Sequence, residues 1–102
     1  GMYPLTPRQI RSLKKQAHSL KPRVQIGRND ITEATISNID KVLKDHELIK
    51  IKYLEHKAQR KIITAKIAAE TRSNIIHEIG NTAILYRRSA DYSKRGIKPG
   101  KP

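Results

Sequence analysis

Residues 21–32, Lys-Pro-Arg-Val-Gln-Ile-Gly-Arg-Asn-Asp-Ile-Thr, restrict the fold more than any other stretch. The apolar run from Val24 to Ile26 reads as a short strand that Pro22 starts. Gly27 breaks it, and Arg28, Asn29 and Asp30 form a tight polar loop. Thr32 then opens a helix, with its hydroxyl placed to cap the first free amides. Strand, glycine turn and helix N-terminus make a small positive cup whose backbone N–H groups and Arg28 could grip a phosphate. On the loop alone, an ordinary strand-to-helix turn is the preferred reading, because one glycine and one arginine are common in turns.

The remaining elements follow from periodicity and caps. Residues 6–20 predict a first helix, with Thr6 as N-cap, Pro7 at the first helical position, and Ile10, Leu13, Ala17 and Leu20 as its apolar stripe. Lys21 precedes a proline and ends it. Residues 32–45 predict a second helix with Ile36, Ile39, Val42 and Leu43 inward. Residues 47–54 alternate as a strand, with Ile49, Ile51 and Tyr53 on one face and Lys50 and Lys52 on the other. Residues 57–71 are read as a third helix, because length and alanine content outweigh the strand-like run from Lys61 to Ile67. Residues 74–79 and 82–87 form a hairpin around Gly80-Asn81. The order αβαβαββ predicts a compact two-layer α/β domain, with a four-stranded mixed sheet and three helices mainly on one face. Residues 1–4 read as an N-terminal extension in which Gly1 precedes Met2. Residues 5–88 are the domain, and 89–102 a flexible basic tail rich in Gly and Pro.

Charge points to the partner. Twenty-two basic against nine acidic residues leave a net charge of +13. Such a charge on a small domain costs self-repulsion, so a polyanion is the natural partner. The excess sits at the ends: residues 1–30 hold seven Lys/Arg and one acid, and residues 87–102 hold six and one. In the first helix Arg8, Arg11, Lys14, Lys15 and His18 project onto an arc of about 120° with no acid among them. A solvated face usually mixes signs; the second helix does, and this one does not. Lys21, Arg23, Gly27, Arg28 and Asn29 form an adjacent bank. Lys50, Lys52, Arg87, Lys94 and Arg95 are possible additional contacts, with Lys98 and Lys101 as further tail candidates. The chain has four Tyr, no Trp and no Phe. Tyr53 and Tyr86 lie on expected strands, so recognition should rest on phosphate, sugar and shape rather than base stacking.

Several chemistries find no support. His18, His46, His56 and His77 lack metal-ligand spacing, and there is no cysteine to join them. The acids are scattered, and no nucleotide-binding glycine pattern occurs. No enzyme activity, cofactor, metal or small-molecule substrate is expected. No apolar run approaches the ~20 residues of a membrane helix, and no signal-peptide pattern is seen. A cytoplasmic monomer is the expectation. A basic module for a protein partner is the alternative, and a DNA-binding protein a third reading.

An ordered set of short matches then points to a family. They are Leu5-Thr6 with Leu13, Ala17-His18-Ser19-Leu20-Lys21-Pro22, Ile26-Gly27-Arg28-Asn29, His46-Glu47-Leu48-Ile49-Lys50, Glu70-Thr71, and Ile79-Gly80 with Leu85-Tyr86-Arg87. Together the set, over residues 5 to 88, resembles the CRM domain in its single-domain bacterial form, the YhbY family. The resemblance implies a fold like the C-terminal domain of translation initiation factor three. It also implies RNA binding through a Gly-x-x-Gly loop and neighbouring basic surface, and association with precursors of the large ribosomal subunit. Two positions depart from the pattern. Asp30 stands where the loop usually has its second glycine and sets a carboxylate beside the phosphate site. Arg72 stands where a glycine commonly closes the third helix.

Overall fold

The computed structural model of the protein describes residues 3–28, 31–55 and 57–102. Helix α1 spans Pro7–Ala17, strand β1 Val24–Ile26, helix α2 Glu33–His46 and strand β2 Leu48–Tyr53. A 3₁₀ turn, Lys57–Gln59, leads into helix α3, Arg60–Thr71. Strands β3, Asn74–Ile79, and β4, Thr82–Tyr86, complete the sheet.

Local chemistry sets the helix ends. At α1 the Thr6 hydroxyl accepts from the Gln9 amide at 3.1 Å and the Gln9 side chain accepts from the Thr6 amide at 3.0 Å, a reciprocal cap. Thr32 and Thr35 repeat the arrangement at α2. Helix α3 ends without its glycine. Arg72 takes the left-handed conformation (φ 57°, ψ 41°), and the Ser73 amide donates to the Ala68 carbonyl at 3.0 Å. The usual C-terminal turn therefore forms on arginine, at a backbone cost of about 1–2 kcal/mol.

The sheet order is β1-β2-β4-β3. β1 and β2 are parallel, joined by the α2 crossover, with Gln25 beside Lys52 and Ile26 beside Tyr53. β4 lies antiparallel between β2 and β3, which places the Gly80-Asn81 hairpin at one edge. Gly80 has a φ of +54°, so the turn uses the backbone freedom of glycine.

Three helices and a mixed four-stranded sheet match expectation; the layering differs. Alternation along β2 and β4 divides their side chains between two clusters. Ile49, Ile51, Tyr53, Ala83 and Leu85 pack with Ile39 and Leu43 of α2 and Ile67 of α3. Leu48, Ile84 and Tyr86 pack on the other face with Leu13 and Ala17 of α1. Two helices share one face, but α1 covers part of the other and makes a third layer there. A strand whose residues are apolar on both faces, as at Leu48-Ile49 and Ile84-Leu85, needs cover on both.

The C-terminal segment also differs from the flexible tail expected. It lies against the domain, with Ile97 on the α1-side cluster. The Gln16 amide donates to the Lys98 carbonyl at 2.9 Å and the Gln9 amide to the Gly100 carbonyl at 3.0 Å. Its main anchor is Glu47, 3% exposed. That carboxylate accepts backbone N–H groups from Ser89 and Gly96 at 2.7 Å and from Ile97 at 3.0 Å. One buried acceptor so gathers three amides of a segment otherwise polar enough to stay in water.

Candidate nucleic-acid interface

The five basic side chains of α1 stand exposed along one side of the helix: Arg8, Arg11, Lys14, Lys15 and His18. Their arc is the complement of the buried Gln9–Leu13–Ala17 stripe, so packing that stripe on the sheet turns all five outward together. Lys14, Lys15, His18 and Ser19 line a shallow hollow at the end of the helix.

From there the basic surface runs onto the sheet. The Lys50 ammonium reaches the His18 carbonyl at 3.5 Å. The Arg23 amide donates to the Lys50 carbonyl at 3.0 Å, holding the Lys21–Arg23 connection against β2. Because Ile49, Ile51 and Tyr53 face α2 and α3, the half-buried Lys50 and Lys52 face the α1 side. Gln25 lies level with Lys52 on the neighbouring strand, and Gly27 follows at the end of β1. The α1 bank and the described part of the second bank, Lys21, Arg23, Gly27 and Arg28, are therefore one surface, with Lys50 and Lys52 between them.

At the loop, Arg28 is 90% exposed on its side chain and lies 3.9 Å from Glu55. A pair that long and that wet contributes little, so the guanidinium is free to meet another anion. Gly27 has no positive φ, and a Cβ built on it meets nothing within 4 Å among the described residues. The local fold does not require glycine at this position. Asn29 and the departing Asp30 lie outside the described residues.

The additional candidates separate by location. Arg87 is not a free cation. Its guanidinium bonds the Asp40 carboxylate, the Thr71 carbonyl at 2.8 Å and the Asp40 carbonyl at 2.9 Å, tying the end of β4 to both α2 and α3. Lys94 and Arg95 lie beyond the end of β4, in the same region as Arg87, away from the Gly27 loop. Lys98 and Lys101 instead flank the α1 face, because residues 98 to 100 run beside Gln16, Ser12 and Gln9. Those three polar residues at helical spacing were the available signal for a bound strand. Tyr53 and Tyr86 are both buried, as their strand positions implied. Among the described residues no three His, Cys, Asp or Glu side chains gather to hold a metal, and no helix is long and apolar enough to cross a membrane.

The chain is similar in sequence and in fold to several known proteins. A probable RNA-binding protein of Pseudomonas aeruginosa is 33% identical over 91 residues, covering 88% of each chain. An RNA-binding protein of Haemophilus influenzae is 35% identical over 91 residues, 88% of this chain and 92% of its own. The solution structure of a Staphylococcus aureus protein, described as a candidate RNA-binding protein, superposes with a TM-score of 0.76 at 32% identity. That match covers 93% of this chain and all of the other. The CRS1/YhbY (CRM) domain model matches residues 5–87. With the sheet, the three helices and the basic surface of α1 in place, the chain belongs to the CRS1/YhbY (CRM) domain family.

Proposed function

We propose that the protein is a non-enzymatic RNA-binding protein that docks, as a cytoplasmic monomer, on ribosomal RNA in precursors of the large ribosomal subunit during assembly. The observation that carries this reading is the continuous basic surface from Arg8 on α1, through Lys50 and Lys52, to Arg28. No acid occurs between Tyr3 and Asn29 to interrupt its first part. The RNA-binding names of the relatives support the ligand class. The CRM-domain membership supports the assembly role.

The chemistry of the surface is phosphate chemistry. Lysines and arginines meet backbone phosphates and release counterions, so affinity falls steeply with salt. A glycine that the fold does not need, at the end of this track, leaves bare backbone that a phosphate can approach closely. Specificity would come from the shape of folded RNA, which must match the bend from helix to sheet to loop.

The test is cosedimentation of the protein with ribosomal particles, with crosslinked RNA sequenced from its peak. A salt-sensitive peak on large-subunit precursors is the expected result. A peak at the top of the gradient without enriched RNA refutes the ribosomal role. Association that survives RNase favours a protein partner on the same face.

A further inference from the structure

The end of the sheet opposite the Gly27 loop carries a second basic region that the α1 surface does not explain. A cleft of about 790 Å³ opens there, between the C-terminal ends of α2 and α3 and residues 88–95. The strand β2 separates it from the loop by about 17 Å, at ~3.3 Å per residue. Lys44, Arg72, Arg88 and Lys94 line it and have no ion-pair partner among the described residues. Two of the carboxylates on its wall are already engaged. Asp40 holds Arg87, and Asp91 accepts the amide and hydroxyl of Ser93 at 3.0 and 2.7 Å.

Cations near two helix C-termini need no ligand to account for them, since they offset the partial negative charge there. Tyr92 is the feature that helix ends do not require. It sits on a 3₁₀ turn, Tyr92–Lys94, and is 81% exposed; it does not line the cleft itself, but Asp91, Lys94 and Arg95 around it do. The turn is held by Asp91, whose carbonyl accepts the Lys94 amide at 3.0 Å. The Arg95 guanidinium lies 5.0 Å from the Tyr92 ring centroid, and its Nε donates to the Ser89 carbonyl at 2.9 Å. The ring is therefore supported by a fixed arginine and otherwise left to water. In the cleft lining Arg88 lies 3.9 Å over the ring of Tyr3, a second cation–aromatic stack.

An exposed aromatic beside unpaired cations is the arrangement that takes an unpaired nucleotide: a π-face for the base and positive charge for its phosphates. We infer that this cleft and the Tyr92 ring next to it form a second RNA contact that binds a single-stranded segment, one base stacking on Tyr92 while adjoining phosphates meet Arg72, Arg88 and Lys94. The inference rests on the RNA-binding reading above and adds to it a preference for duplex RNA that ends in, or adjoins, an unpaired strand. It also changes the expectation that recognition uses phosphate and shape alone.

Two RNA hairpins test it, one blunt and one carrying a single-stranded 3′ tail of about six uridines. The natural protein should bind the tailed hairpin about fivefold or more tightly than the blunt one, the scale of a single stacked base. Tyr92→Ala should abolish that gain and leave blunt affinity unchanged; Tyr92→Phe should keep it. Iodouracil placed in the tail should crosslink to Tyr92. Because Tyr92 is exposed, the variants should fold, as circular dichroism would verify. Equal affinity for both hairpins overturns the inference while leaving RNA binding intact. So does a gain that survives Tyr92→Ala, or one lost only on changing Lys14 and Lys15. If neither hairpin nor any ribosomal RNA binds, the RNA reading fails and this contact with it.

Discussion

Replacing Glu47 by Gln should loosen the C-terminal segment, and its cost can be worked from four groups. Oε1 accepts two amides, Gly96 and Ile97, and Oε2 accepts one, Ser89. In the Gln variant the amide oxygen would keep the two-donor position, and those bonds would fall from charge-assisted to neutral strength, a loss of about 1 kcal/mol each. The new NH₂ would face the Ser89 N–H, donor against donor, leaving that amide unsatisfied at about 1–3 kcal/mol. Relief from burying a charge works the other way, by some kcal/mol. The segment can also peel off and let water satisfy every group, which caps the loss at the energy that docks it. That docking energy includes the half-buried Ile97 at about 1–2 kcal/mol. We expect a net loss of about 2 kcal/mol and a fall in Tm of about 10 °C for a domain this size. Urea unfolding followed by circular dichroism measures it. The control is the same substitution in a chain ending at Arg88, where the three amides are gone. There Glu47→Gln should be close to neutral, and the difference between the two backgrounds is the coupling energy. An equal cost in both backgrounds would refute the reasoning. The substitution would then act through Glu47's own backbone, which sits at a φ of +63°, and not through the segment.

Further predictions concern the surface and the core. Lys14→Glu with Lys15→Glu should weaken RNA binding strongly and reduce the slope of log affinity against log salt by about 2, at roughly 0.9 per lost phosphate contact; an unchanged slope would remove α1 from the interface. Gly27→Ala should leave Tm within about 1 °C and lower RNA affinity, since no described residue comes within 4 Å of the added Cβ and the φ is ordinary; a marked loss of stability would show a structural glycine instead. Burial, with Glu47's charge behind it, pushes the Tyr86 phenol up to about 12. The unfolded chain ionises near 10, so the folded state holds a proton the unfolded state loses, and stability declines as pH rises from about 10 to 12. Tyr86→Phe should flatten that decline in alkaline unfolding curves. It should also leave neutral-pH stability equal or higher, because the hydroxyl has no hydrogen-bond partner among the described residues.

Local order was legible because it is written in short-range chemistry. Thr6 and Thr32 cap, Pro22 and Gly80 interrupt, and alternation from Ile49 to Tyr53 marks a strand whatever it packs against. The basic arc of α1 was legible for the same reason: helical spacing alone puts its four cations and His18 on one side, and the absence of acids needs no partner to be seen. The resemblance to the CRM domain reached as far, since its motifs are runs of neighbouring residues.

What the chain could not declare locally was decided by contacts between residues far apart in sequence. An apolar stripe is the same whether its helix covers one face of the sheet or the other, and only the paired burial of Leu48 with Ile84 and Tyr86 sends α1 to the opposite side. Charge identifies Arg87 as a cation, but Asp40 and Thr71, brought together by α2 and α3, make it a tie within the fold. Composition marks residues 89–102 as a tail, and a single buried carboxylate 42 to 50 positions earlier holds their amides. Spacing and sign are properties of neighbouring residues and survive in the unfolded chain. The face a helix covers, the partner a guanidinium finds and the cleft between Arg72 and Lys94 exist only once distant segments share one core.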